Sequence, residues 1–312
     1  MGTPVFFDHD GGLDDFLSLL MLVSYNDIDL LGISITPADT LPEAAVPATR
    51  KILDLGGRSD VPVAAGTVEG AHPFPLAWRV DAYKVNDLPV LNQNEGEPRA
   101  PLADVPGQEL MARTLLAAEE PVTVLMTSPL TNLAWTLSNH PQVEERIAWL
   151  VLMGGALDVE GNVQEEGHDG TAEWNIYWDP AAAKRVWDSS IPITLFPLYA
   201  TNQVPVTTEF RTAFGRQYHF DLSAAAGSIW AMTSGWEIAV GMGNPYYCWD
   251  TLATSSLVRP DLCTYREVRC DVVTSGPSEG RTMVTDSGRP VRAAEVVDAD
   301  GFYAHVLETL RR

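Results

Sequence analysis

The strongest constraint on the fold is a regular alternation of short apolar runs with amphipathic stretches. The apolar runs are typical of strands buried on both faces, and they span 4–7, 30–36, 61–65, 122–127, 147–153 and 191–198. The amphipathic stretches that follow most of them are typical of helices, and they span 14–25, 43–56, 107–119, 129–139 and 179–188. This order predicts an α/β fold with a mainly parallel central sheet flanked by helices. Because no internal repeat or low-complexity linker interrupts the pattern, residues 1–312 are predicted to form a single α/β domain.

Composition limits the partners and the compartment. With 46% hydrophobic residues in 312, the chain can bury a large core. A formal net charge of −22 argues against nucleic acid or an anionic membrane as a partner, because both require a basic face. The three cysteines form no C-x-x-C pair, and the N-terminus lacks the pattern of a signal peptide. We therefore expect a cytoplasmic protein that binds neither nucleic acid nor a membrane.

Several polar residues follow directly after the predicted strands. In sheets of this kind, ligands bind at the carboxyl ends of the strands. The residues at those ends are Asp8 and Asp10, Asp39, Thr127, Met153, and Thr201 with Asn202. Two long irregular segments, 69–106 and 157–175, add loops of a length that is usually functional in a compact α/β domain. The sequence therefore predicts a site at the carboxyl edge of the sheet.

Four carboxylates crowd into "DHDGGLDD", residues 8–15, between two apolar segments. Two such charges about 4 Å apart repel by roughly 4 kcal/mol at an effective dielectric constant near 20. The cluster must therefore take up protons or bind a cation. Asp14 and Asp15 could cap the following helix, where negative charge is favourable. Capping does not explain Asp8 and Asp10, which are expected to share one face of the strand.

Three kinds of site could use such a cluster. A calcium loop of the EF-hand type requires Glu at its twelfth position, but counting from Asp8 that position is Leu19. A phosphatase of the haloacid dehalogenase type would use Asp8 as nucleophile and Asp10 as acid, but no lysine stands where that family expects one. A divalent-cation site built on Asp10, Asp15 and distant ligands remains. Its hard oxygen donors favour Ca²⁺ or Mg²⁺ over zinc.

Five stretches of the chain, in this order, resemble the nucleoside hydrolases, and among them the purine-preferring inosine–adenosine–guanosine type. They are "DHDGGLDD" (8–15), "TSPLTNLAW" (127–135), "LMGGALDVEGNV" (152–163), "DGTAEWNIYWDP" (169–180) and "YYCWDT" (246–251). The resemblance covers nearly the whole chain. It implies a Rossmann-like nucleoside hydrolase fold, a purine ribonucleoside as substrate, Ca²⁺ as cofactor and a homodimer.

The resemblance also implies roles for individual residues. Ca²⁺ would be held by Asp10, Asp15, the backbone carbonyl of Thr127 and Asp250, and Asp10 would also be the general base for the attacking water. The ribose would be bound by Asp14, Asn162, Glu173 and Asn175, with Met153 close to the sugar. The base would contact Asp39 and lie among three tryptophans, Trp78, Trp174 and Trp249, of which the first and last would stack on its two faces.

The chemistry of the proposed reaction agrees with these roles, but alternatives stay open. Cleavage of an N-glycosidic bond builds positive charge on the ribose, which a carboxylate-rich site stabilises. Gly12 stands where purine-type relatives commonly have Asn, and the stretch 237–247 lacks the charged residues expected of a flap over the substrate. Glu173 and Asn175 are expected on one side of an extended segment. A pyrimidine-preferring or broad hydrolase, and a catalytically weak nucleoside-binding protein, are the competing hypotheses.

Overall fold

The computed structural model describes residues 2–157, 159–239 and 245–312. In this part of the chain nine strands form one sheet, in the spatial order β3-β2-β1-β4-β5-β6-β9-β7-β8. The strands are β1 (Thr3–His9), β2 (Ile28–Ile35), β3 (Val63–Ala65), β4 (Val122–Met126), β5 (Ile147–Met153), β6 (Ile193–Phe196), β7 (Cys263–Val272), β8 (Thr282–Val284) and β9 (Arg289–Val297). The first six pair in parallel, and β9 pairs in parallel with β6. The predicted mainly parallel sheet is confirmed.

Helices connect the strands and cover both faces of the sheet. The described α-helices are α1 (Leu13–Ser24), α2 (Pro42–Leu55), α3 (Asp81–Asn86), α4 (Gly107–Ala117), α5 (Thr131–Asn139), α6 (Trp174–Tyr177), α7 (Pro180–Trp187), α8 (Leu198–Thr201), α9 (Thr208–Ala213), α10 (Asp221–Ala231), α11 (Trp236–Ala239), α12 (Trp249–Ser255) and α13 (Ala299–Thr309). The five helices predicted from periodicity correspond to α1, α2, α4, α5 and α7. Among the described residues, no helix combines the length and apolarity needed to cross a bilayer.

The helix that follows the acidic cluster lies in the core. All twelve residues of α1 are buried, and the helix packs against α2, α10 and α12. Beyond Asp14 and Asp15 in its first turn, α1 carries apolar residues on all sides, and a helix of this kind is buried. This burial explains why the apolar stretch Phe16–Val23 comes directly after four acids. The N-terminus of α1, with its carboxylates, is thereby fixed at the carboxyl end of β1, an inner strand of the sheet.

The three C-terminal strands do not follow the apolar pattern of the others. β7 pairs antiparallel with both β8 and β9 and extends the sheet at the β6 edge. Its sequence, "CTYREVRCDV", alternates buried and partly exposed positions and includes charged residues. Apolar runs therefore do not indicate these strands. The sheet is larger than the six strands that the sequence predicts.

Candidate active site

One cavity of about 480 Å³ brings the predicted site residues together at the carboxyl ends of the strands. Every residue to which the resemblance assigns a role lines it: Asp10, Asp14, Asp15, Asp39, Trp78, Thr127, Met153, Asn162, Glu173, Trp174, Asn175, Trp249 and Asp250. Of the other residues predicted at the strand ends, Asn202 lines the cavity, and Asp8 and Thr201 do not. The lining residues come from the ends of β1, β4 and β5, the starts of α1, α6 and α12, the short loop after β2 and the long loops after β3 and β5. The stretch 237–247 was compared above with a flap over the substrate. Its residues 240–244 lie outside the part of the chain that the structure describes.

The buried aspartates have fixed hydrogen-bond partners. Asp15 accepts hydrogen bonds from the backbone N–H of Gly12 at 2.8 Å and from Thr127 Oγ1 at 2.5 Å. It therefore caps the first turn of α1 while its carboxylate lines the cavity. Asp14 accepts hydrogen bonds from Tyr246 Oη at 2.7 Å and from the backbone N–H of Asp250 at 3.2 Å. These contacts tie the start of α1 to the start of α12.

Burial and mutual repulsion act on the same carboxyl groups. Burial, followed by the charges of Asp15 and Asp39, raises the pKa of Asp10 well above its usual value. Burial, followed by the charges of Asp14, Asp15 and Asp10, raises the pKa of Asp250 in the same way. Among the described residues that line the cavity there is no Lys, Arg or His. Without a cation, the cluster is therefore neutralised by protons.

The donor set fits a hard divalent cation. Asp10, Asp15 and Asp250 are buried acids that face one cavity, and carboxylate and carbonyl oxygens are the ligands that Ca²⁺ and Mg²⁺ prefer. As placed, no three His, Cys, Asp or Glu side chains of the described chain lie close enough to enclose an ion. The chemistry of the donors thus matches a divalent-cation site.

Asp8 has a different environment from Asp10. Its carboxylate is fully buried and accepts hydrogen bonds from four side chains, those of Ser34, Thr36, Ser128 and Asn132. Asp8 does not line the cavity, whereas Asp10, which follows the last residue of β1, does. Because its partners lie on or directly after β2, after β4 and on α5, Asp8 connects the strand ends that carry the site.

Glu173 and Asn175 both line the cavity, but the segment is helical rather than extended. Glu173 is the N-cap of α6, and its carboxylate accepts the backbone N–H groups of Asn175 and Gly155, each at 2.8 Å. Burial raises the pKa of Glu173 to about 7. The Asn175 amide donates to the carbonyl oxygens of Thr127 at 3.1 Å and Met153 at 3.2 Å. Asn175 therefore bridges the ends of β4 and β5.

Aromatic rings form a continuous wall around the rest of the cavity. Trp78 contacts Trp174, with ring centroids 5.5 Å apart, and Trp236, with centroids 5.8 Å apart. Trp236 contacts Tyr246 at 5.1 Å, and Tyr246 contacts Trp249 at 4.7 Å. The two tryptophans expected to stack on a base, Trp78 and Trp249, thus belong to one chain of ring contacts.

Comparison with known proteins agrees with this geometry. Residues 5–304 match the sequence pattern of the inosine-uridine preferring nucleoside hydrolase family. The chain belongs to this family. A pyrimidine-specific ribonucleoside hydrolase RihA from Citrobacter koseri is 31% identical over 99% of this chain and 98% of its own. The crystal structure of an inosine-uridine preferring nucleoside hydrolase from Bacillus anthracis is 39% identical, with a TM-score of 0.93 over 100% of this chain and 99% of that chain.

A more distant structure agrees in fold alone. The purine-preferring ribonucleoside hydrolase from Gardnerella vaginalis is 23% identical and gives a TM-score of 0.80 over 98% of both chains. The α/β architecture, with its mainly parallel sheet flanked by helices, is therefore that of a nucleoside hydrolase. The relatives differ in the base that their names assign to them, so membership of the family does not by itself decide the base preference of this nucleoside hydrolase.

The space beside Gly12 is filled by the side chain of Asp39. A Cβ added to Gly12 would lie 2.7 Å from Asp39 Oδ2. Asp39 also donates its backbone N–H to Asp10 Oδ2 at 3.2 Å, and its own Oδ1 is buried without a hydrogen-bond partner. The carboxylate of Asp39 thus occupies the space next to Gly12 and leaves one buried acceptor free.

Four aromatic residues of the cavity were not predicted from the sequence. They are Phe74, Trp236, Tyr246 and Tyr247. Tyr246 and Tyr247 lie in the matching stretch 246–251, so the resemblance contains a signal for them. Phe74 and Trp236 lie outside all five matching stretches, and only their ring contacts in the fold assign them to the wall.

Proposed function

We propose that this nucleoside hydrolase cleaves the N-glycosidic bond of purine ribonucleosides, releasing the free base and ribose in a calcium-dependent reaction. The supporting observation is the division of the cavity into an acidic part and an aromatic part. Seven carboxyl groups line it, those of Asp10, Asp14, Asp15, Asp39, Glu160, Glu173 and Asp250. Seven aromatic rings also line it, those of Phe74, Trp78, Trp174, Trp236, Tyr246, Tyr247 and Trp249.

The acidic part suits the sugar and the charge that develops on it. An oxocarbenium-like ribosyl group is cationic, so buried carboxylates stabilise it more than they stabilise the neutral nucleoside. Asp10 accepts the proton of the attacking water as general base. Asp14, Asn162, Glu173 and Asn175 bind and orient the ribose hydroxyls. Calcium held by Asp10, Asp15, the Thr127 carbonyl and Asp250 would hold these acids together, bind ribose hydroxyls and lower the pKa of the attacking water.

The aromatic part suits a large planar base. Trp78 and Trp249 would stack on the purine, with Trp174 beside it and Asp39 accepting a hydrogen bond from it. The leaving purine departs more readily when it is protonated, and electron-rich indole faces attract the protonated ring by about 0.5–2 kcal/mol. The residue before Asp250 is Trp249, so this position offers an indole face and no imidazole acid. This composition favours purine nucleosides.

A broad or pyrimidine-preferring ribonucleoside hydrolase is the second candidate. It is supported by the names of the relatives, one pyrimidine-specific and one inosine-uridine preferring. The acidic part of the cavity would serve uridine as well as inosine, because the ribose is the same. The two candidates therefore differ only in what the aromatic part does for the departing base.

Steady-state hydrolysis of inosine, guanosine, adenosine and uridine, with calcium and with a chelator, tests the proposal. We expect the purine nucleosides to have the higher kcat/KM and the chelator to abolish release of every base. Comparable activity on uridine would favour the broad hydrolase. Binding of inosine without release of hypoxanthine during long incubation would show a nucleoside-binding protein and refute the proposal.

The cytoplasmic location and the homodimer stay predictions.

The stacking role of Trp78 is tested by Trp78→Ala. We expect kcat/KM for inosine to fall by about tenfold or more, since base–aromatic stacking is worth ~1–3 kcal/mol. The loss should be smaller for p-nitrophenyl riboside, whose leaving group departs without assistance from the wall. Trp149→Ala is the matched control, because Trp149 is also partly exposed but lies outside the cavity. Equal losses on both substrates would contradict a role in leaving-group departure.

A further inference from the structure

The indole of Trp249 makes a polar contact that the roles above do not use. Its Nε1 donates a hydrogen bond to Asn202 Oδ1 at 3.2 Å. Asn202 follows α8, the short helix after β6, and it lines the cavity beside Trp249. An indole N–H can only donate, so the amide of Asn202 must present its oxygen to it. The contact therefore fixes the orientation of both side chains.

Ring packing alone does not determine the orientation of the Trp249 indole. Tyr246 and Tyr247 pack against Trp249, with ring centroids 4.7 and 5.6 Å away and planes inclined by 60° and 51°. Aromatic pairs are favourable in offset or edge-to-face arrangements over centroid distances of about 4.5–7 Å, so these contacts do not select one orientation of the indole. A directional hydrogen bond at the edge of the indole restricts the orientation that the ring contacts leave open. The main chain of Asn202 is held at the end of α8, because its backbone N–H donates to Leu198 O at 3.0 Å.

We propose that Asn202 is a positioning residue for base recognition, which holds the Trp249 indole in the plane that stacks on the nucleobase. This inference rests on the proposed function, in which Trp249 contacts the base. Asn202 would act through Trp249 and would not itself bind the nucleoside. Its effect should therefore appear with substrates that carry a nucleobase and depend on the presence of the indole N–H.

A double-mutant cycle of Asn202→Ala and Trp249→Phe, measured with inosine and p-nitrophenyl riboside, tests this role. Phe keeps an aromatic face but has no N–H. Trp249→Phe therefore removes the donor of the hydrogen bond, whereas Asn202→Ala removes its acceptor. We expect Asn202→Ala to lower kcat/KM for inosine about fivefold, the order expected for one lost hydrogen bond, mainly through KM. It should change turnover of p-nitrophenyl riboside little. In the Trp249→Phe background, Asn202→Ala should have no further effect.

Two further variants make the cycle decisive. Asn202→Asp keeps an oxygen acceptor for the indole and should restore the KM for inosine to within about twofold of wild type. Gln203→Ala is the matched control, because the neighbouring amide donates to the carbonyls of Tyr199 at 3.0 Å and Glu295 at 2.7 Å and does not line the cavity. It should leave the KM unchanged.

The outcomes separate this inference from the proposed function. If the losses of Asn202→Ala and Trp249→Phe are additive, Asn202 contacts the substrate directly or acts on the fold, and the positioning role is refuted while purine hydrolysis stands. A KM increase of the same size in Gln203→Ala would refute it as well. If the wild-type enzyme releases no base from inosine, the proposed function fails, and this inference fails with it.

Discussion

Asp10→Asn is expected to lower kcat for inosine by about 10³-fold, within the range found when a general base is removed. The amide is close to the carboxylate in shape and still offers one oxygen, but it cannot accept a proton from water. Asp10 is 4% exposed and lines the cavity beside Asp15 and Asp39. Because every substrate needs the same activated water, p-nitrophenyl riboside should lose turnover to a similar extent. Measurement of kcat for both substrates at saturating calcium separates loss of the general base from weaker binding of the cation.

Glu160→Gln is the matched control for this substitution. Glu160 is an exposed carboxylate of the same cavity. Its substitution by Gln removes one negative charge and leaves Asp10, the proposed general base, in place. We expect its kcat to stay within about twofold of wild type. If the two variants lose activity equally, the effect of Asp10 is that of general negative charge and not of proton transfer. If Asp10→Asn keeps most of its turnover, another group activates the water.

The sequence predicts the part of the fold that obeys a simple pattern. The six parallel strands are buried on both faces and therefore appear as apolar runs, such as β4, whose predicted range 122–127 compares with Val122–Met126. The pattern does not extend to β7, where partly exposed residues alternate with buried ones. The direction of these strands is set by the antiparallel pairing of β7 with β8 and β9 and by the parallel pairing of β9 with β6, which apolar periodicity does not encode.

The residues of the candidate site were also predicted only in part from the sequence. Asp10, Asp15 and Thr127 were predicted because they follow strands or belong to a recognisable stretch, and each lines the cavity. Trp236 was missed, since its contact with Trp78 joins the start of α11 to a loop that is distant from it in sequence. For Glu173, the resemblance indicated the residue but not its conformation, in which the carboxylate caps α6 and also accepts the backbone N–H of Gly155 from the end of β5.

Removal of calcium is expected to abolish release of every base and to lower the melting temperature. The acids that would hold the cation are buried, and without it their only neutralisation is by protons. At a hundredfold excess over its Kd, a ligand of the folded state adds about 2.7 kcal/mol to stability, which is several degrees in Tm. Calcium should restore both activity and Tm. A Tm that does not respond to calcium at any pH would contradict the proposed cation site.

The size of this calcium effect should depend on pH in a defined direction. Burial and neighbouring charges raise the pKa values of Asp10, Asp15 and Asp250 above 3.8 in the cation-free fold. A carboxyl group with a raised pKa binds its proton more tightly when folded, so the cation-free protein loses stability as pH rises from the unfolded toward the folded pKa values. The increase in Tm on adding calcium should therefore be larger at pH 8 than at pH 5.5. Asp250→Asn should weaken this increase and Glu160→Gln should keep it, because only Asp250 belongs to the proposed ligand set.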